Sequence, residues 1–247
     1  MTPIKNTQEM RNPYWGFWAT IGFGLLIFIT FSLIQAILLI GYGIYLQDWE
    51  LDSDFAASLN TLVFNGDAIA IAEIPSALIG TALVLLFASI PKVISVKEYL
   101  KIHIPPLTTI LKWLGIMVLV ILLMEGSNNL LDRETPEFMG EVYGNTNNFI
   151  ILWIAVIIGA PLFEEFLFRG FIFESLKQSA LGLVGATLIT ASSWAIIHLQ
   201  YGWYEIFTIF LIGIVFAVAK HKTNSIYIPT FMHILMNLTA SVMMEFT

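Results

Sequence analysis

Apolar residues run along this chain in long blocks separated by short polar stretches, and the blocks have the length of membrane helices rather than of strands. In order they cover Trp15 to Leu46, Ala68 to Ile90, Ile110 to Leu131, Phe149 to about Phe173, Leu181 to Leu199, Trp203 to Ala219 and Ile226 to Met244. Each lies near or above the roughly 20 residues that a helix needs to cross about 30 Å of hydrocarbon. The pattern predicts an all-α integral membrane protein, a bundle of about seven or eight transmembrane helices, in which the first and fourth runs are long enough to tilt, bend or split. Lys112, Glu125, Asn128 and Asn129 interrupt the third. The alternating ten-residue segments of a membrane β-barrel are absent.

Composition strengthens that reading, with 57% apolar and 12% charged residues and a mean hydropathy of +0.81. Residues 1–247 are read as a single integral membrane domain, since no repeat and no Gly/Ser linker divides them. Positive residues stay preferentially on the cytoplasmic side of a membrane. With the N-terminus inside, every lysine and arginine except Arg133 falls toward the cytoplasm. The N-terminus is therefore expected there, and a bacterial cytoplasmic membrane is the expected location. The acid collects in the opposite loops, in "QDWELDSDF" and "LDRETPEF", which accounts for much of the net charge of −7. No basic stripe suggests nucleic acid as a partner. The chain has no cysteine, which excludes disulfides, thiolate metal sites and a cysteine nucleophile. The N-terminal "MTPIKNTQEMRNPYW" reads as a short cytoplasmic tail, and "KEYLKIHIPP" as a connector on the membrane surface.

Ionisable groups inside spans are costly and tend to mark function. Here they gather late in the chain: Glu164, Glu165 and Arg169 on the fourth run, His198 on the fifth, His233 and Asn237 on the seventh. His103 and His221 fall in basic connectors and are expected to be solvated. Residues four apart share a helix face, which groups Glu165 with Arg169, Trp194 with His198, and His233 with Asn237. Glu164 points about 100° away from the Glu165–Arg169 pair. At about 1.5 Å per residue, Glu164, His198, His233 and Asn237 lie about 20, 26, 12 and 18 Å from the inner surface, compatible with one site inside the membrane. Glu73 and Glu125 are expected to be structural or interfacial.

"EEFLFR" fits EExxxR, "WAIIH" fits (F/W)xxxH and "HILMN" fits HxxxN. In this order the chain resembles the CPBP family, which comprises CAAX prenyl endopeptidases of the Ras-converting type and bacteriocin-processing or immunity relatives. The resemblance covers about Phe149 to Met244, so residues 149–244 are expected to form the catalytic core. It implies an intramembrane glutamate-type endopeptidase acting on membrane-associated or lipidated peptides.

Peptide hydrolysis by water needs a base, stabilisation of the oxyanion and a proton for the leaving amine. Glu164 with His198 is assigned to activate water, and His233 with Asn237 to the oxyanion. Glu165 with Arg169 supports them, a direct role for Glu165 remaining open, and Trp194 is structural. No cofactor is expected. The alternative within enzymes is zinc held by Glu164, His198 and His233, although HExxH is missing. Outside enzymes, the alternatives are an immunity or scaffold protein or a transporter, the last without the usual inverted halves.

Overall fold

The computed structural model describes residues 13–46 and 61–245. The first acidic loop and most of the N-terminal tail lie outside the described residues. Among those described, the chain is all-helical: α1 (Phe17–Tyr45), α2 (Gly66–Ser89), the short α3 (Val96–Leu100), α4 (Leu107–Leu130), α5 (Glu137–Gly144), α6 (Phe149–Lys177), α7 (Gly182–Ile196), α8 (Trp203–Thr223) and α9 (Tyr227–Met244). The helix starts follow local chemistry. Asn65 caps α2 by accepting from the Ala68 N–H at 2.9 Å, Ser95 and Glu98 form a capping box on α3, and prolines 106 and 136 precede α4 and α5, where a missing N–H costs nothing. Ser95 donates its backbone N–H and its hydroxyl to the exposed Glu98 carboxylate, which holds that group below its ordinary range.

Among the described residues, five helices are long and apolar enough to cross a membrane: α1, α2, α4, α6 and α8. The expected count of seven or eight stands at five by this measure. α7 has 15 residues, about 22 Å of rise, and α9 is diluted by His233 and Asn237 on its inward side. Outward faces are apolar, as on α4, where Leu119, Leu122 and Leu123 are exposed and only Met117 is fully buried. Such a surface is what lipid covers and water does not. The protein is an integral membrane protein.

α6 is the axis of the bundle. It packs against α1 and α2 on one side and against α7, α8 and α9 on the other. Phe163 on α6 stacks on Phe31 at 4.1 Å between centroids, and α2 comes close enough that a Cβ on Gly80 would sit 2.5 Å from Phe163 Cε2. The connector around α3 is tucked into one end of the bundle. Tyr99 and Leu100 are fully buried, Tyr99 donates to Ser175 Oγ at 2.5 Å, since that hydroxyl itself donates to the Phe171 carbonyl, and Lys101 O accepts from the Ile226 N–H. At the same end Glu174 on α6 takes ion pairs from Lys177 at 2.8 Å and from the fully buried Lys220 of α8 at 2.7 Å. His103 and His221 are exposed, as their connectors suggested.

α6 is not a uniform α-helix. It contains two π-helical stretches, Ile154–Gly159 and Glu165–Ile172, on either side of an α-helical turn, Ala160–Glu164. Pro161 sits in that turn and has no N–H to give to the preceding turn. The register slips: Ala160 N–H bonds Ala155 O and Phe173 N–H bonds Phe168 O, five residues back in each case. Such widened turns leave backbone groups without their usual partners and concentrate at functional sites.

Candidate active site

The residues singled out by spacing come from α6, α9 and the end of α7 with the turn beyond it, and the structure connects them through a few specific contacts. Glu165 and Arg169 form the expected pair across four residues of α6, Arg169 Nη1 to Glu165 Oε1 at 3.1 Å, with both side chains fully buried. Glu165 is not occupied by that pair alone. His233 of α9 places Nδ1 3.0 Å from the same oxygen. A carboxylate oxygen only accepts, so Nδ1 carries a proton there.

Arg169 is further confined by aromatic faces, lying 4.4 Å above the Trp194 ring and 5.4 Å from that of Phe216. Space for it is made on α8 by Gly213. A Cβ at that position would come within 3.2 Å of Arg169 Nη2 and 3.1 Å of Ala191 Cα on α7. Arg169 Nη2 also points at Gly213 O at 3.5 Å. Arg169 Nε and Glu165 Oε2 are buried without a hydrogen-bond partner.

Glu164, one residue before Glu165, turns to a different neighbour. It is half-buried and accepts from the indole Nε1–H of Trp194 on α7. The Trp194 ring, 1% exposed, meets His198 edge-on at 5.4 Å and His233 edge-on at 5.2 Å. Three of the expected site residues therefore adjoin a single indole.

Two side chains are oriented by backbone carbonyls that lack their regular helical donors. Val156 O on α6 would normally accept from the Ala160 N–H, which bonds Ala155 instead, and its donor in a π-helix would be Pro161, which has none. Asn237 fills the gap, donating from Nδ2 to Val156 O at 2.7 Å. At the end of α7 the last turn tightens, so that the His198 N–H bonds Ala195 O at 3.1 Å rather than Trp194 O. The Trp194 carbonyl is met by His198 Nδ1 at 2.8 Å. Because a carbonyl can only accept, Nδ1 is the protonated nitrogen, and in the neutral ring Nε2 is the basic one. His198 thus lies in the turn beyond α7, not on the helix that its spacing suggested.

Two groups at the site were not assigned there from the sequence. Glu73 of α2 is 7% exposed, accepts from Gln35 Nε2 of α1 at 2.5 Å, and leaves Oε1 buried without a partner. A Cβ on Gly159 of α6 would lie 4.0 Å from its Cγ. Tyr201 stacks on His198 at 6.2 Å. Burial, then the neighbouring Tyr143 and Glu164, push its hydroxyl up to about 12, so it remains a donor at neutral pH. Tyr201 also lines a cavity of about 620 Å³ with Phe138, Arg133 and Glu205. Glu73 lies far from the motifs in sequence but was visible as an uncompensated acid in an apolar run, and Tyr201, three residues after His198, carries no charge to mark it.

Among the described residues, no three His, Asp or Glu side chains converge as a cation-binding group. His233 turns one ring nitrogen to Glu165 and His198 turns one to a backbone carbonyl. Comparisons with curated proteins and with solved structures gave no match. Residues 146–239, which contain the three motifs, match the family described as type II CAAX prenyl endopeptidase Rce1-like, a protease family and the same one that the motifs resemble.

Proposed function

We propose that the protein is an intramembrane endopeptidase of the glutamate type, hydrolysing peptide bonds in membrane-associated or lipidated peptides. The observation that carries this reading is the gathering of Glu164, His198 and His233 around the Trp194 indole, with Glu165 and Arg169 buried behind them.

In this mechanism Glu164 takes a proton from water and the resulting hydroxide attacks the scissile carbonyl carbon. His198 Nε2 accepts a hydrogen bond from the hydrogen that the water keeps and so fixes the direction of its lone pair. The carbonyl oxygen becomes an oxyanion. His233, with Nδ1–H given to Glu165, in its imidazolium form donates Nε2–H to it, and Asn237 has a second amide N–H to offer while its first is held by Val156. The intermediate collapses, the C–N bond breaks, and the proton on Glu164 passes to the departing amine. Glu165 thus acts through His233 and Arg169 holds Glu165 in place, a more specific task than general support of the helix. The reaction is proposed to need no metal. The substrate meets the site within a bilayer, proposed to be a bacterial cytoplasmic membrane with the N-terminus on the cytoplasmic side.

Hydrolysis in ¹⁸O-labelled water, with purified protein in liposomes and a mixture of lipidated and transmembrane peptides, tests this reading. One labelled oxygen is expected in the new carboxylate, and the rate is expected to persist after exhaustive chelation. Loss of activity on chelation, restored by stoichiometric zinc, would move Glu164, His198 and His233 to the role of ligands.

A further inference from the structure

Resting on the protease reading, we propose that Trp194 is a positioning residue that sets both members of the water-activating pair at once. Its indole N–H fixes the Glu164 carboxylate and its backbone carbonyl fixes the His198 tautomer.

Trp194 donates Nε1–H to Glu164 Oε2. An indole nitrogen is a donor only, so the contact serves an ionised or acceptor oxygen and does not engage the other oxygen of Glu164. The same residue's carbonyl, passed over by the His198 N–H, receives His198 Nδ1 at 2.8 Å. That places the proton on Nδ1 and the lone pair on Nε2, the arrangement that a water-orienting base requires. A phenylalanine at this position would keep a ring and the carbonyl but offer Glu164 no donor.

The indole is itself held in place. It is 1% exposed, Arg169 lies 4.4 Å over its face, Phe216 packs at 5.5 Å and His233 meets it edge-on at 5.2 Å. A donor so confined directs its N–H without a search through rotamers, which is what preorganisation of a base means physically. It also links the Glu165–Arg169 pair to Glu164: the guanidinium that neutralises one carboxylate braces the ring that orients the other.

The test uses the full chain in liposomes with Trp194→Phe and with 3-benzothienylalanine at position 194, an isostere in which sulfur replaces the N–H. Both are expected to lower kcat by about tenfold or more, the loss of one hydrogen bond to a charged group, with KM within about twofold of wild type. An equal fall in kcat and kcat/KM marks an interaction needed in the transition state. The isostere should also lower the melting temperature in the wild-type background and not in a Glu164→Leu background, since the partner is then already gone. Wild-type kcat in the isostere, or melting shifts that simply add, would overturn the proposal. A wild-type chain that cleaves nothing while the melting shifts remain coupled would overturn the protease reading and leave the Trp194–Glu164 linkage supported.

Discussion

Removing the Arg169 guanidinium without removing its bulk, by Arg169→Met, is the sharpest perturbation of the buried network. Arg169 and Glu165 are both fully buried, and their single ion-pair contact is 3.1 Å. Glu165 Oε2 has no hydrogen-bond partner among the described residues, so the loss of Arg169 leaves the His233 Nδ1 contact as what remains at that carboxylate among them. Stranding one member of a buried pair costs about 3–5 kcal/mol, two to three and a half decades in the unfolding equilibrium. A solvent-exposed pair would lose about 1 kcal/mol or less. Replacing both charges by neutral groups removes the stranded charge, so Glu165→Gln with Arg169→Met should recover most of the loss. It should not recover hydrolysis, because glutamine can still accept from His233 Nδ1–H but carries no negative charge to favour the imidazolium that donates to the oxyanion. Unfolding of each variant by a denaturing detergent titrated into a mild one, followed by tryptophan fluorescence, gives the three stabilities. If Arg169→Met lies within about 1 kcal/mol of wild type, or the double variant is no more stable than the single, the pair does not clamp the site.

Three further outcomes are expected from the same titration. Asn237→Leu should cost about 1–3 kcal/mol by leaving the Val156 carbonyl unpaired, and less in a Pro161→Ala background, where residue 161 regains an N–H for it; an equal cost in both would refute the origin given for that bond. Gly213→Ala should cost about 1–3 kcal/mol by driving a methyl against Arg169 and Ala191, and wild-type stability would mean that the α7–α8 approach is looser than described. Gln35→Leu should cost about 1–3 kcal/mol because Gln35 is the one donor to Glu73 among the described residues, with recovery in Gln35→Leu/Glu73→Leu; no loss would show Glu73 solvated.

The parts of this site that sequence spacing could read are those that lie along one helix. Glu165 and Arg169 are four apart and pair, and the adjacent Glu164 turns away, because both relations follow from the helical repeat. The seven apolar runs became seven helices within a few residues of their expected ends, since each run is set by the length of its apolar block. What spacing could not supply is which helix faces meet. The partners of His233 and Glu164 are Glu165 and Trp194, each on another helix, and Glu73 enters from a half of the chain without a motif. Pro161 was the one local sign that α6 would change register, yet the carbonyl it frees and the Asn237 that fills the gap lie 81 residues apart. His198 likewise left its helix because the last turn of α7 tightened, its N–H bonding Ala195 O rather than Trp194 O.

In the proposed reaction Glu164 removes the proton from the attacking water. That role is tested most directly by comparing wild type with Glu164→Gln, both reconstituted in liposomes and shown by unfolding titration to be equally folded, on a membrane peptide that the wild type cleaves. Glutamine keeps an oxygen for the Trp194 N–H and cannot take a proton, so the account predicts folded protein with cleavage reduced by at least about a hundredfold. Glu164→Gln cleaving at the wild-type rate would contradict it.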